Sequence, residues 1–316
     1  MKEKLVVITG PTAVGKTDIS IEIAKRINGE IISADSMQIY KYMDIGTAKV
    51  REDEMQGIKH HLIDFIEPDE DFTVSNYKEK AAKLITELNK LHKMPIVTGG
   101  TGLYINSLVY KLDFIHIPPD NTLRVKYENI AKNEGKFYLL ELLRKVDPIT
   151  AGKYSENDVQ RIVRALEVYD KSGITMSEQT KNFRKPSEKY EPSMYCLYLD
   201  REKLYEKINL RVDSMIEEGL IEEVEGLLNK GYTLALTSMK AIGYRELIKY
   251  LQGEWSLDEA INKIKQFSRN YAKRQLTWFR RDDRINWIDV GDFEDKIEIS
   301  NYIEKDIREK YRKVSY

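Results

Sequence analysis

A single cysteine, Cys196, stands among 316 residues. One thiol excludes an intrachain disulfide and a cysteine-based zinc finger within the chain. Its place in the apolar run Met194 to Leu199 reads as a small hydrophobe filling a core strand. Histidine is scarce, at four residues. His60 and His61 are adjacent, so their side chains diverge on regular structure, and no cysteine or further histidine lies close to them; a transition-metal site is not expected. Excess charge of one sign is missing too, since 51 Lys and Arg face 52 Asp and Glu. No whole-chain field therefore argues for nucleic acid, and only local basic patches can. No apolar stretch approaches the roughly 20 residues of a membrane span. The opening Met1-Lys-Glu-Lys4 leads directly into the short strand-like run Leu5–Thr9, so no secretory leader and no membrane association are expected, and the cytosol is the simplest compartment. There is no internal repeat and no low-complexity tract.

What is present starts with 41% hydrophobic and 33% charged residues, enough for a sizeable core under a soluble surface. The length suits one large domain or a core with an insertion. Directly after Leu5–Thr9 comes Gly10-Pro11-Thr12-Ala13-Val14-Gly15-Lys16-Thr17, and a helical pattern begins at Lys16. Gly-x-x-x-x-Gly-Lys-Thr between a strand and a helix is a phosphate cradle. Its glycines let backbone N–H groups wrap phosphate oxygens, and the helix adds its positive N-terminal end. Lys16 is expected to reach the outer phosphate and Thr17 to hold a magnesium ion. The motif says that a di- or triphosphate binds, without saying which.

The first 112 residues read as α/β. Ile19, Ile23 and Ile27 mark a helix face, with Gly29 expected to end that helix in a left-handed conformation. Glu30–Ala34 reads as a strand that delivers Asp35, residues 76–92 as a helix, and Pro95–Thr98 as a third strand running into Gly99-Gly100-Thr101-Gly102. Such alternation implies a parallel sheet, with ligands at the carboxyl ends of its strands. From about 113 to 194 the pattern changes: helical stretches at 122–145 and 158–171, then a polar linker from Asn182 to Pro192. Strand character resumes at Met194–Asp200, followed by helices at 202–217, 220–230, 240–251 and 257–280 and a short strand at Arg284–Val290. The expected fold is thus an α/β, P-loop NTPase-like parallel-sheet core over 1–112 and 195–316, with a helical C-terminal part and a mostly helical insertion domain over 113–194.

Several residues carry chemistry in this frame. Asp35, at a strand end beside the phosphate loop, can hold magnesium, act as a base, or cap the following turn. The Pro95–Thr98 strand ends in threonine and glycines rather than the acid that NTP hydrolysis uses, so a hydrolytic pair is incomplete. Thr101 sits in a second Gly-rich turn on the same rim. Gln160, Arg161 and Arg164 lie on an insertion helix whose apolar side includes Val159, Ile162, Val163 and Leu166; Arg124 on the preceding helix can extend a basic surface. Arg211 falls on the side of its helix away from Leu204, Ile208, Val212 and Met215, where a solvated arginine is the default. Lys263 to Arg284 is the densest basic run, interleaved with Phe267, Tyr271, Trp278 and Phe279, a combination suited to RNA and also to a docked amphipathic helix.

Taken in order, Gly10–Thr17, Asp35-Ser36-Met37-Gln38-Ile39-Tyr40, Met43–Lys49, Gly99–Tyr104, Gln160–Arg164, Gly243-Tyr-Arg245 and Ala272–Trp278 resemble the bacterial tRNA dimethylallyltransferases over essentially the whole length. Val50 departs from the family's usual proline after Gly-Thr-Ala-Lys. The resemblance implies transfer of a dimethylallyl group from its diphosphate to N6 of the adenosine 3′ of the anticodon, with release of diphosphate. It implies that Gly10–Thr17 hold a diphosphate rather than ATP, although the loop keeps the form of a nucleotide- and ATP-binding motif. It also implies Asp35 as base toward N6, with Thr101 as positioner and Lys16, Arg211 and magnesium on Thr17 as stabilisers of the leaving group. Asp35, Ser36, Met37, Gln38, Thr101, Arg124 and Gln160-Arg161-Ile162-Val163-Arg164 would meet the tRNA anticodon stem-loop, and the enzyme would be a monomer. The residues alone leave open a P-loop kinase for a nucleoside or small metabolite, an isopentenyltransferase for free adenine nucleotides, and a non-catalytic RNA-binding module.

Overall fold

The computed structural model describes residues 2–112, 117, 118, 120–181 and 185–312. By internal contacts it divides into two compact units: Met1–Val109 with Glu188–Tyr316, and Tyr110–Ser187. The first unit is built on an all-parallel sheet of β1 (Glu3–Thr9), β2 (Gly29–Ser33), β3 (His60–His61), β4 (Met94–Gly99), β5 (Tyr190–Tyr198) and β6 (Ile285–Asp289), in the order β3-β2-β4-β1-β5-β6. The central strand β1 is a run of β-branched and aliphatic residues, Leu5 to Ile8, all fully enclosed. A strand apolar on both faces is what a parallel sheet covered on both sides requires.

Helices α1 (Lys16–Arg26), α2 (Val74–Lys90) and α3 (Gly102–Val109) connect these strands. Helix α1 starts from Gly15, held at φ 93°, and carries Asp18 in its first turn with Lys25 and Arg26 in its last, matching the helix dipole at both ends. The residue that ends it in the left-handed region is Asn28, at φ 52°, not Gly29 as the sequence suggested. Gly29 already pairs in β2, where a Cβ would lie 2.8 Å from the Ile96 side chain. Helix α2 opens on a reciprocal cap between Thr73 and Asn76.

The second unit holds α4 (Asn121–Asn133), α5 (Lys136–Val146), α6 (Pro148–Ala151), α7 (Val159–Ser172) and α8 (Met176–Gln179) around Leu139, Leu143, Ile162, Val163 and Leu166. The helix expected at 122–145 is two, because Gly135 at φ 100° breaks it. Back in the first unit follow α9 (Arg201–Glu217), α10 (Leu220–Asn229), α11 (Tyr244–Leu251), α12 (Leu257–Phe279) and α13 (Lys296–Arg312).

Three further differences from the sequence reading have local causes. β5 begins at Tyr190 rather than Met194, because its pairing with β1 starts at Glu3 opposite Tyr190; residues 188–194 therefore belong with the sheet and not with the insertion. Of the expected linker, Asn182 lies outside the described residues, and Tyr190–Pro192 are strand. The two-residue edge strand β3 was too short to show a period, and α13, strongly charged on its outer face, went unread although Ile299, Ile303 and Ile307 pack on the sheet's core. The Tyr311 hydroxyl lies 2.9 and 2.7 Å from the Leu5 and Glu191 carbonyls, sharing its one proton between them, and accepts from Leu5 N–H at 3.2 Å, fixing α13 to the starts of β1 and β5. Among the described residues, no helix is long and apolar enough to cross a membrane.

Candidate active site

The carboxyl ends of β1, β2 and β4 are neighbours in the sheet, so the loops that follow them meet. After β1, Gly10 turns so close to β5 that a Cβ would lie 2.4 Å from the Leu197 carbonyl oxygen. Val14 is buried beneath the loop, while Gly15 and Thr17 face solvent. The Lys16 ammonium donates to the Pro11 carbonyl at 2.6 Å, arching over the loop it serves. Burial and then the Arg211 charge push Lys16 down to about 8, against the opposing pull of Asp35. Cys196, beneath Lys16 in β5, is pushed up to about 12 by burial, as befits an inert core thiol.

After β2, Asp35 folds back on its own turn: one carboxylate oxygen accepts from Met37 N–H at 2.8 Å and Gln38 N–H at 3.4 Å. This local cap fixes the carboxylate's direction. The Asp35 charge acts on Lys16, Arg211, Tyr104 and Tyr271 at once, which puts it at the centre of the polar cluster. After β4, the Thr101 N–H donates to the Ala34 carbonyl at 3.0 Å, and its hydroxyl oxygen accepts from Ser36 N–H at 3.0 Å. Thr101 and Asp35 are thereby held on adjoining turns.

A cavity of about 540 Å³ opens between these loops and α9, α11 and α12. Thr12, Asp35, Ser36 and Arg211 line it together, with Lys240, Arg245 and Arg274 supplying further positive charge. Asp35 is its one carboxylate among the described residues. Its apolar wall includes Met37, Ile208, Met215, Ile242 and Phe267. Arg211 departs from the default of its helix pattern: it is not solvated but drawn into the cavity, where burial lowers its pKa and Asp35 opposes the shift.

Other expected residues are placed differently. Gln38 is occupied within the fold, donating to the Thr47 and Ala48 carbonyls at 3.2 and 3.1 Å. In the helical unit, Ile162 and Val163 are enclosed in the core, so their side chains offer nothing to an external RNA. Arg124 and Arg164 both bind the fully enclosed Glu167, at 3.0 and 2.6 Å, and Arg164 also donates to the Ile117 carbonyl. Burial raises the Glu167 pKa, but Arg164, the Asp120 N–H and Arg124 together hold it below the usual range. Gln160 and Arg161 face solvent, Arg161 with only a loose 3.4 Å pairing to Asp158. The basic run divides as well: Lys265 pairs with Asp213 and Arg269 with Asn209, whereas Lys273, Arg274, Arg280 and Arg281 are exposed.

Sequence reasoning missed Gln275, which sits 5% exposed on the buried side of α12. A polar residue between Ala272 and Phe279 on an apolar stripe was the available signal. It also missed why residues 43–49 are as they are. The Glu223 carboxylate accepts from the N–H groups of Asp44, Ile45 and Gly46, and from the Tyr244 hydroxyl, so this loop is clasped against α10 and α11 at the cavity wall. A Cβ on Gly46 would fall 2.5 Å from the Tyr244 ring.

No group of three His, Cys, Asp or Glu able to hold a metal occurs among the described residues, His60 and His61 included. His61 instead meets Glu30 at 2.6 Å. A lone hydroxyl, that of Thr17, fits magnesium only where phosphate oxygens and water complete the shell, which is how that ion is commonly bound.

Comparison with known proteins agrees with this geometry. The family model for IPP transferase matches residues 38–282. A tRNA dimethylallyltransferase of Carboxydothermus hydrogenoformans is 51% identical over 291 residues, 92% of this chain and 93% of the relative. That of Alkaliphilus oremlandii is 47% identical over 98% of both chains. Among solved structures, the full-length tRNA isopentenylpyrophosphate transferase of Bacillus halodurans superposes with a TM-score of 0.74 at 42% identity over 100% of both chains. A eukaryotic dimethylallyltransferase acting on tRNA superposes with a TM-score of 0.75 at 29% identity, over 91% of this chain and 74% of that one. With the family model matching over most of its length and relatives of this identity along nearly all of it, the chain belongs to the IPP transferase family.

Proposed function

We propose that this protein transfers a dimethylallyl group from dimethylallyl diphosphate to N6 of the adenosine immediately 3′ of the anticodon in tRNA, releasing diphosphate. The observation that carries the reading is the company Asp35 keeps: a carboxylate amid Lys16 and Arg211 at the mouth of a phosphate loop, beside a β4 that ends in Thr98-Gly99. That set serves a departing phosphate and a nucleophile's proton, and leaves water without an activating pair. The names of the relatives supply tRNA as the acceptor.

In the reaction, N6 forms a bond to C1 of the allyl group as the C1–oxygen bond to diphosphate breaks, and the electron pair leaves with the diphosphate. The exocyclic amine is a weak nucleophile because its lone pair is delocalised into the ring. Asp35 accepts its proton as the new bond forms, held in direction by Met37 and Gln38 N–H groups. Thr101 orients the acceptor against Asp35; orientation of this kind can supply several kcal/mol, about 7 at the lower end. Lys16 and Arg211 receive the charge that grows on the bridging oxygen. Thr17, with the diphosphate oxygens, would hold magnesium, which would supply further neutralisation of the leaving group. The acceptor base has to leave its stack, at a cost of a few kcal/mol. The cavity's apolar wall suits a five-carbon chain, and exposed Gln160 and Arg161 are available to the anticodon stem-loop.

The test is an acceptor competition. Labelled dimethylallyl diphosphate is offered with unmodified tRNA, AMP and ATP together, and the products are digested and identified by mass spectrometry. Label in N6-dimethylallyladenosine from tRNA is the expected result. Label in AMP alone would move the protein to the free-nucleotide enzymes.

A further inference from the structure

One side chain connects the two halves of the reaction. The Gln275 amide oxygen accepts from Thr12 N–H in the phosphate loop at 3.0 Å, and its nitrogen donates to the Gly100 carbonyl at 3.1 Å, one residue before Thr101. A Cβ on Gly100 would lie 2.0 Å from that amide nitrogen, so the glycine is what admits it. One turn earlier on α12, Tyr271 lies close enough to Thr101 and Gln275 for both to act on its hydroxyl. Gln275 is buried, and α12 is anchored by its N-cap Ser256, so the amide is mounted on a rigid element. The amide accepts with its oxygen and donates with its nitrogen, so one side chain holds both loops.

We propose that Gln275 is a positioning residue for the transfer, setting the spacing between the diphosphate loop and the Asp35–Thr101 acceptor pair. The diphosphate's bridging oxygen and N6 must be brought into line on opposite sides of one carbon, and the distance between the two loops decides whether they are. Gln275 touches neither; it acts through Thr12 N–H and the Gly100–Thr101 backbone. This inference rests on the transferase reading above.

Two substitutions test it. Gln275→Met keeps the volume and loses both bonds; kcat should fall about 10- to 100-fold while KM for tRNA stays within about twofold. Gln275→Glu can still accept from Thr12 N–H, but when ionised it faces the Gly100 carbonyl with no proton to donate. Its kcat relative to wild type should therefore be highest at low pH and decline about tenfold as pH rises and the buried acid ionises. A role confined to packing would not produce that pH dependence. Wild-type kcat in both variants, a loss carried by KM alone, or a Gln275→Glu profile parallel to wild type at every pH would overturn the inference. Should Gln275→Met fail to fold, the Gln275→Glu pH ratio decides by itself. A wild-type protein inactive on tRNA would defeat the transferase reading; an active one with indifferent variants would defeat only this inference.

Discussion

The structural and the proposed chemical job of the Asp35 carboxylate can be separated. One oxygen secures its own turn by accepting from Met37 and Gln38; as the carboxylate lining the cavity, the group is our proposed base. Asp35→Asn keeps an acceptor oxygen for the turn and removes the basicity. We expect kcat to fall about 10²- to 10⁴-fold with tRNA affinity and thermal stability near wild type, checked by single-turnover kinetics and filter binding. Lys16 carries the second prediction at this scale. Its folded pKa lies near 8 against an ordinary 10.5. As pH rises through 8 the free protein loses the charge that receives diphosphate, so pyrophosphate affinity should fall there. Binding should also take up protons at about pH 8.5, because the bound anion restores the lysine's charge. Calorimetry in buffers of different ionisation enthalpy reads this uptake, which Lys16→Met should abolish. The sign for folding is opposite: the unfolded chain binds this proton more tightly, so Lys16's contribution to stability rises with pH between about 8 and 10.5.

At the scale of elements, tight contacts between loop and helix set the site. Gly102 opens α3 where a Cβ would lie 2.2 Å from Cδ1 of the Trp278 indole on α12. An indole packed into a helix interface cannot step aside as a lysine tip can. Gly102→Ala should destabilise the fold by about 1–3 kcal/mol, measured by urea unfolding. In the helical unit, the division between structural and exposed arginines gives a contrast. Glu167 is fully enclosed under Arg124 and Arg164, each more than a third exposed. Glu167→Gln should lower stability by about 1–2 kcal/mol, less than a fully buried pair would lose, because solvent screens both guanidiniums. Arg161→Glu, on an exposed side chain, should leave the melting temperature unchanged and weaken tRNA binding. Equal melting losses in both variants would show Arg161 to be structural.

The molecule as a whole shows which signals a sequence carries. Local pattern was enough where one segment does the work alone: Gly10–Thr17 as a strand–loop–helix cradle, Asp35 at a strand end, the alternation that implied a parallel sheet. It failed where the cause lies in a distant segment. Arg211 looked solvated because α9 shows one apolar stripe, and nothing in that helix reveals that Asp35 waits opposite. Gln275 was hidden because its two partners are 263 and 175 residues away. The pair His60–His61 was too short to read as a strand, since its partner β2 lies 29 residues upstream along the register. The helix at 122–145 was over-extended because one glycine inside a helical pattern is ambiguous until its φ is seen. Near-zero net charge was informative in another way: it moves nucleic-acid recognition from the whole surface to local groups such as exposed Arg161, Lys273, Arg280 and Arg281.

The central claim is that the phosphate loop holds a leaving group and not an energy source. Its most direct test follows pyrophosphate release and tRNA alkylation in one reaction containing tRNA, magnesium, dimethylallyl diphosphate and γ-labelled ATP. The account expects one pyrophosphate for each N6-dimethylallyladenosine formed, with ATP untouched. Release of labelled phosphate from ATP without alkylation of tRNA would contradict it and make a kinase or ATPase the better description.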